Sequence, residues 1–198
     1  MTHPTVAYAL LCQLAKEPLT GYELSRRMRG GMSNYWSAPH SQIYPQLGKL
    51  VATGWVRYET AAGPGPRDKK IYRITDAGIA ALRAWLAEPV DRQPERDELV
   101  LKVSASWLDP GALATTIATT RQEAADKLRG YLEIASRIEA SLGDHLTDPT
   151  SPESANYATL QCGISYERHR VSWLDWVADY LQSANTSNPG ASTNPSRS

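Results

Sequence analysis

Residues 41–56 run Ser41-Gln42-Ile43-Tyr44-Pro45-Gln46-Leu47-Gly48-Lys49-Leu50-Val51-Ala52-Thr53-Gly54-Trp55-Val56. Ile43, Leu47, Leu50 and Val51 recur at i, i+4, i+7 and i+8, an apolar stripe along one side of a helix. Pro45 fits a first turn, where backbone amides have no intrahelical acceptor to lose. The opposite side carries Gln42, Pro45, Gln46 and Lys49, with Thr53 at its margin, and Gly54 ends the helix. Beyond Gly54 the period changes from about 3.6 to 2. Trp55 to Glu59 and Lys70 to Ile74 read as two strands. The turn-rich loop between them, residues 60–68, makes the pair a hairpin.

Towards the N-terminus, Val6, Leu10 and Leu14 mark a short helix over 5–16 that stops at Pro18. Thr20 and Glu23 then have the spacing of a capping box, with Leu19 and Leu24 placed as its hydrophobic staple. Leu24 and Met28 point inward, Arg26, Arg27 and Arg29 decorate the rest, and Gly30-Gly31 closes the helix. After the hairpin, Thr75-Asp76 caps a further helix whose inward residues are Ile79, Leu82 and Leu86, closed by Pro89. Three helices, a hairpin and a linking helix form the order of a winged helix-turn-helix, here over residues 1–90.

The remainder is helical. Leu99, Val103 and Trp107 line a helix over 95–108. Asp109-Pro110 starts a second that keeps its stripe to Gly143, roughly 32 residues and about 48 Å if straight. A third opens at Ser151-Pro152-Glu153, lined by Tyr157, Leu160, Ile164, Val171, Leu174, Val177 and Leu181. Residues 91–182 therefore form a helical domain. The Ser, Asn, Thr, Pro and Gly of residues 183–198 form a tail expected to be disordered. The fold class is mainly α.

Composition narrows the function. The chain has 198 residues, 41% of them hydrophobic, enough for a real core. No apolar run reaches the ~18 residues of a membrane span, and the N-terminus lacks signal-peptide features, so a cytoplasmic protein is expected. Cys12 and Cys162 have neither metal-type nor CxxC spacing. Cys162 and His169 are about 10 Å apart along one helix face, too far to act as a thiol–imidazole pair. No nucleophile elbow, phosphate-cradling loop or zinc-protease motif occurs. Neither catalysis nor a cofactor is expected.

The formal net charge of zero hides an asymmetry. Residues 1–90 hold 11 Lys and Arg against 6 Asp and Glu, whereas residues 91–198 hold 10 against 15. A basic half suits a polyanion. One face of the 41–53 helix packs inward, leaving the other to enter a major groove, which is wide enough for a helix. Ser41 opens that helix. Gln42 and Gln46 lie on its free face, where Gln can bond adenine through two contacts. Arg67, Lys69 and Lys70, at or just past the hairpin tip, can reach phosphates. Tyr44, at the border of the apolar stripe, either packs inside or touches a phosphate. Tyr22, in the first turn of its helix, either covers the core or contacts DNA.

Gly21-Tyr22-Glu23-Leu24, Ser41 to Leu47, Leu50 to Val56 and Tyr72-Arg73-Ile74-Thr75-Asp76-Ala77-Gly78, in this order and spacing, resemble the PadR family of transcriptional regulators. Asp97 to Lys102 and Trp173-Leu174 resemble its longer type, with a helical C-terminal dimerisation domain. The resemblance implies a homodimeric repressor that binds a pseudo-palindromic operator in double-stranded DNA. It also implies release by a small, often aromatic effector, and a reading helix at Ser41 to Thr53. Lys49 is the only Lys or Arg on that helix. Affinity then comes substantially from Arg26 and Arg27 on the preceding helix and from the wing.

The long stripes of the acidic half expose more apolar surface than three helices can mutually bury. A two-fold dimer is the simplest solution, and it sets two reading helices about 34 Å apart. The aromatics of this half serve as core and interface anchors or line an effector cavity. Trp107 and Trp173, on or near inward stripes, are the first candidates for the latter. The competing reading is a protein-interaction scaffold whose winged module binds no specific DNA.

Overall fold

The computed structural model describes residues 4–29, 40–62, 68–90 and 97–186. Two compact units divide the chain, Met1–Arg92 and Gln93–Ser198. No described helix is long and apolar enough to cross a membrane.

In the first unit the order is α1 (Thr5–Leu14), β1 (Leu19–Thr20), α2 (Gly21–Arg29), α3 (His40–Ala52), β2 (Val56–Ala61), β3 (Lys69–Ile74) and α4 (Asp76–Leu86). The hairpin gains a third strand that periodicity alone does not reveal. β1 pairs with β3 through Leu19↔Tyr72 and Thr20↔Ile71, giving an antiparallel sheet of order β1-β3-β2. Two residues are too few to display a period of 2. The capping box forms as its spacing requires: the Thr20 amide donates to Glu23 Oε2 at 2.8 Å, and the Glu23 amide donates to Thr20 Oγ1 at 3.2 Å. Leu19 and Leu24 are both buried beneath it.

The core joins Leu10, Leu11 and Leu14 of α1, Leu24 and Met28 of α2, Ile43, Leu47 and Leu50 of α3, and Val56 and Tyr72 of the sheet. Pro45 lies inside α3 rather than in its first turn, because the helix already includes His40. On α4, Leu82 is buried but Leu86 is exposed. Trp85 takes the inward role expected of Leu86, stacking on the Tyr8 ring with centroids 4.7 Å apart. The left-handed backbone at Gly54 (φ 76°) turns the chain out of α3. Thr75 then ties α4 to that turn: its hydroxyl donates to the Gly54 carbonyl at 2.7 Å and accepts from the Gly78 amide at 3.1 Å. A side chain on Gly78 would place Cβ 2.2 Å from the Trp55 carbonyl oxygen. Glycine is required there by the closeness of the two backbones.

The second unit comprises α5 (Glu98–Ser104), 3-10 turns at Ser106–Leu108 and Pro110–Leu113, α6 (Ala114–Leu142), a 3-10 segment at Gly143–Thr147, and α7 (Pro152–Thr186). The pairs Arg121–Asp175, Lys127–Glu167 and Tyr157–Glu139 run in opposite directions along α6 and α7, so the two helices are antiparallel. Their seam holds Ile117, Ala124, Tyr131 and Ala135 against Ile164, Leu174, Val177 and Leu181. The expected helices are present with moved boundaries. The segment expected as one helix over 95–108 ends its α-helical part at Ser104, and α7 continues to Thr186, four residues into the segment expected as disordered tail.

Candidate nucleic-acid interface

The face of α3 that is left open follows from its rotation of about 100° per residue. Ile43, Gln46, Leu47 and Leu50 are buried, and Val51 is half-buried. Ser41, Gln42, Tyr44, Pro45, Gly48, Lys49 and Ala52 are exposed. The open arc is centred on Ser41, Pro45, Gly48 and Ala52, with Gln42 and Lys49 along one flank and Tyr44 on the other.

Gln46 does not belong to the open face. Its residue exposure is 4%, and its Nε2 has no hydrogen-bond partner among the described residues. The reason is angular. Gln46 sits midway between exposed Gln42 and buried Leu50, about 40° from each, so neighbouring packing decides its side. A polar residue type was a poor guide at that border.

Tyr44 combines its two expected readings. Its ring lies on the first residue of α2, where an ideal Cβ on Gly21 would come within 2.6 Å of Tyr44 Cε1. The residue nevertheless stays 46% exposed. Tyr22 is 64% exposed, so it does not cover the core. Of the α2 cations, Arg26 is exposed, while Arg27 is half-buried and turned onto Glu17 at 2.6 Å. Thr20 donors hold the Glu23 carboxyl below the usual carboxylate range, and Lys69 and Arg26 add to that effect from nearby.

In the wing, side chains alternate between two faces of the hairpin. Lys70 shares a face with Tyr58 and Tyr72, and its Nζ stands 4.1 Å above the Tyr58 ring centroid. The Tyr58 and Tyr72 rings lie 5.8 Å apart across the strands. Lys69 falls on the other face, with Arg57, Glu59 and Arg73. Burial raises the Tyr72 hydroxyl above its ordinary value. Arg67 lies outside the described residues. Tyr58 and Gly21 were not among the expected site residues. The alternation of β2 could have indicated Tyr58 as a neighbour of Lys70, whereas nothing local marks Gly21 as a seat for Tyr44.

In the helical unit the two tryptophans part. Trp173 is half-buried against the core of Leu99, Leu174 and Val177. Trp107 is 74% exposed and lines no inward stripe, because α5 has ended and the chain has changed to a 3-10 turn before reaching it. A partly open groove of about 250 Å³ runs between Pro110, Ala114 and Ile117 on one side and Leu174, Ala178 and Leu181 on the other. Neither tryptophan lines it. Arg121 and Asp175 pair at 2.8 Å beside it.

Known proteins share this arrangement. Residues 10–84 match the family described as transcriptional regulator PadR-like, and residues 95–182 match one described as virulence activator alpha C-terminal. A probable transcriptional regulator of Mycobacterium tuberculosis is 34% identical over 189 residues, spanning 88% of this chain and 96% of that protein. The negative transcriptional regulator PadR of Bacillus subtilis is 31% identical over 184 residues, or 86% and 93% of the two chains. The crystal structure of Bacillus subtilis PadR with operator DNA has a TM-score of 0.81 and 26% identity, covering 91% of this chain and 99% of that one. A second structure of that protein, with p-coumaric acid, has a TM-score of 0.75 and 25% identity over 92% and 99%.

Proposed function

The chain belongs to the PadR-like family of transcriptional regulators, and on that premise we propose that it is a homodimeric repressor released from its operator by a small aromatic effector. The observation that carries the DNA contact is the division of α3. Its aliphatic side closes the core, while Ser41, Gln42 and Lys49 stay in solvent on one continuous arc. In this reading Gln42 meets base edges, and Ser41, Lys49, Tyr22, Tyr44 and Arg26 meet the backbone. Lys69, Lys70 and Arg67 extend the contact through the wing. Arg27, held by Glu17, contributes less.

Dimerisation is supported by the second unit, where Leu132, Ile134, Tyr166, Trp176 and Tyr180 are large, apolar and exposed. Single exposed apolar residues are ordinary, but Tyr166, Trp176 and Tyr180 fall within about 80° of one another around α7, and the Trp176 and Tyr180 rings stack, an apolar face of the kind that a second copy buries. Release by an aromatic molecule is supported by the relative solved with p-coumaric acid. The scaffold reading explains neither the cationic wing nor the polar arc of α3.

Fluorescence anisotropy on duplexes tiling the protein's own promoter, repeated from about 50 to 200 mM salt, tests the proposal. The wild type should select one fragment. Lys49→Ala should weaken binding to every fragment and reduce the salt slope by about one unit, the value of one lost phosphate contact. Absence of binding to any duplex at low salt would refute the DNA reading. A monomer at micromolar concentration in analytical ultracentrifugation would refute the dimer.

A further inference from the structure

We propose that Gly21 is a positioning residue: its missing side chain seats the Tyr44 ring so that the Tyr44 hydroxyl donates to a DNA phosphate. The inference rests on the DNA-binding reading above and adds a residue that contacts no DNA itself.

Three observations lead to it. A Cβ on Gly21 would lie 2.6 Å from Tyr44 Cε1, 3.1 Å from Cζ and 3.3 Å from the hydroxyl oxygen, so the phenol edge rests directly on the α2 backbone. No side chain larger than hydrogen fits beneath it. Second, the backbone does not explain the glycine. Among the described glycines only Gly54 and Gly143 have positive φ, so no left-handed backbone at Gly21 demands glycine. The space is kept for the ring. Third, the ring is seated without being hidden. Tyr44 is 46% exposed and belongs to the open arc of α3, beside Ser41 and Gly48.

A phenol held in this way has lost its rotameric freedom before DNA arrives. Its hydroxyl donates to a phosphate oxygen without a further ordering cost. Removing the seat moves the donor off that line while the rest of α3 stays packed through Ile43, Leu47 and Leu50.

The test uses the full-length protein and the shortest promoter duplex that the wild type retards. Affinity and thermal unfolding are measured for Gly21→Ala, Tyr44→Phe, Tyr44→Ala and the double variant Gly21→Ala/Tyr44→Ala. Gly21→Ala and Tyr44→Phe should each lose about tenfold in affinity, the first by displacing the hydroxyl and the second by deleting it. The double variant should bind no worse than Tyr44→Ala alone, because the clash has no ring to displace. If Gly21→Ala fails to fold, the double variant should restore the wild-type melting profile. Wild-type affinity in Gly21→Ala or Tyr44→Phe, multiplying losses in the double variant, or no rescue of folding would each overturn the proposal. A wild type that retards no promoter duplex would instead refute the DNA reading itself.

Discussion

Gly48 offers a perturbation whose effects on stability and on binding have opposite signs. It lies in the middle of α3, at the centre of the exposed arc, and an ideal Cβ built there meets nothing within 4 Å. Glycine in a helix interior is less favourable than alanine by about 0.5–1 kcal/mol, so Gly48→Ala should stabilise the fold by that amount. Leucine has nearly the propensity of alanine, and Gly48→Leu should gain almost as much. For a chain of this size the gain corresponds to a rise of roughly 1–4 °C in melting temperature. Binding should respond in the other direction. On the proposed DNA reading, the low ridge of Ser41, Pro45, Gly48 and Ala52 lets the helix backbone approach a groove about 12 Å wide. One added methyl should change affinity by less than about threefold. An isobutyl group on the contact line should hold the helix away and lower operator affinity by at least about tenfold. Calorimetry and anisotropy on the same samples read both quantities. Wild-type affinity in Gly48→Leu would show that this arc does not face DNA. A lower melting temperature in both variants would show that the position is not open.

Gln42→Ala should alter which bases are preferred at one position of the operator, whereas Gln46→Leu should leave base preference unchanged and maintain or raise the melting temperature. A buried amide nitrogen with no partner costs about 1–3 kcal/mol, which leucine of similar volume avoids; selection of binding sites from a random duplex pool separates the two glutamines. Gly78→Ala should destabilise the winged unit by about 1–3 kcal/mol or more, since the rigid Trp55 carbonyl lies 2.2 Å from the new Cβ, and urea unfolding measures the loss. Acidification should weaken the capping box: the Glu23 carboxyl is held low in the folded state by the Thr20 amide and hydroxyl. The sign is that of a depressed carboxylate. Its contribution is present above the ordinary glutamate value of about 4.3 and is lost as pH falls through the lower folded value. The stability difference between wild type and Glu23→Gln should therefore be largest near neutrality and close on approach to pH 3, as followed by urea melts across that range.

The winged architecture was legible because its elements carry redundant local signals. The Thr20–Glu23 box, the Ile43 stripe, the change of period after Gly54 and the Thr75 cap each specify a boundary, and all four formed. Less was legible where a residue's role depends on what packs against it. Gln46 lies on a border that only the neighbouring elements resolve. Leu86 and Trp85 are adjacent on α4, and the Tyr8 ring rather than helical spacing selects the tryptophan. The inward reading of Trp107 assumed a continuous helix, and the break after Ser104 rotates it outward. β1 is readable only from its partner strand. At the candidate site, exposure of Ser41, Gln42 and Lys49 followed from the 3.6-residue period. The seating of Tyr44 on Gly21 joins two helices through an absence of atoms, which no periodicity records.

The scarcity of charge on α3 bears on how such a regulator is switched. With Lys49 as the only Lys or Arg of that helix, α3 itself gains little from phosphates, and a single half-site leans on Arg26 and the wing for its backbone contacts. Contact in the non-specific range has a dissociation constant of ~10⁻⁴–10⁻⁶ M, the level against which one winged unit alone is to be compared. Joining two units makes the second contact intramolecular at an effective concentration of roughly 1 mM, multiplying affinity by about ten to a thousand. That factor exists only while both α3 helices reach successive major grooves together. On the proposed reading, an effector need not touch Ser41, Gln42 or Lys49. A change in the helical unit that alters the spacing of two copies removes the whole factor, and the weaker the half-site, the more complete the release.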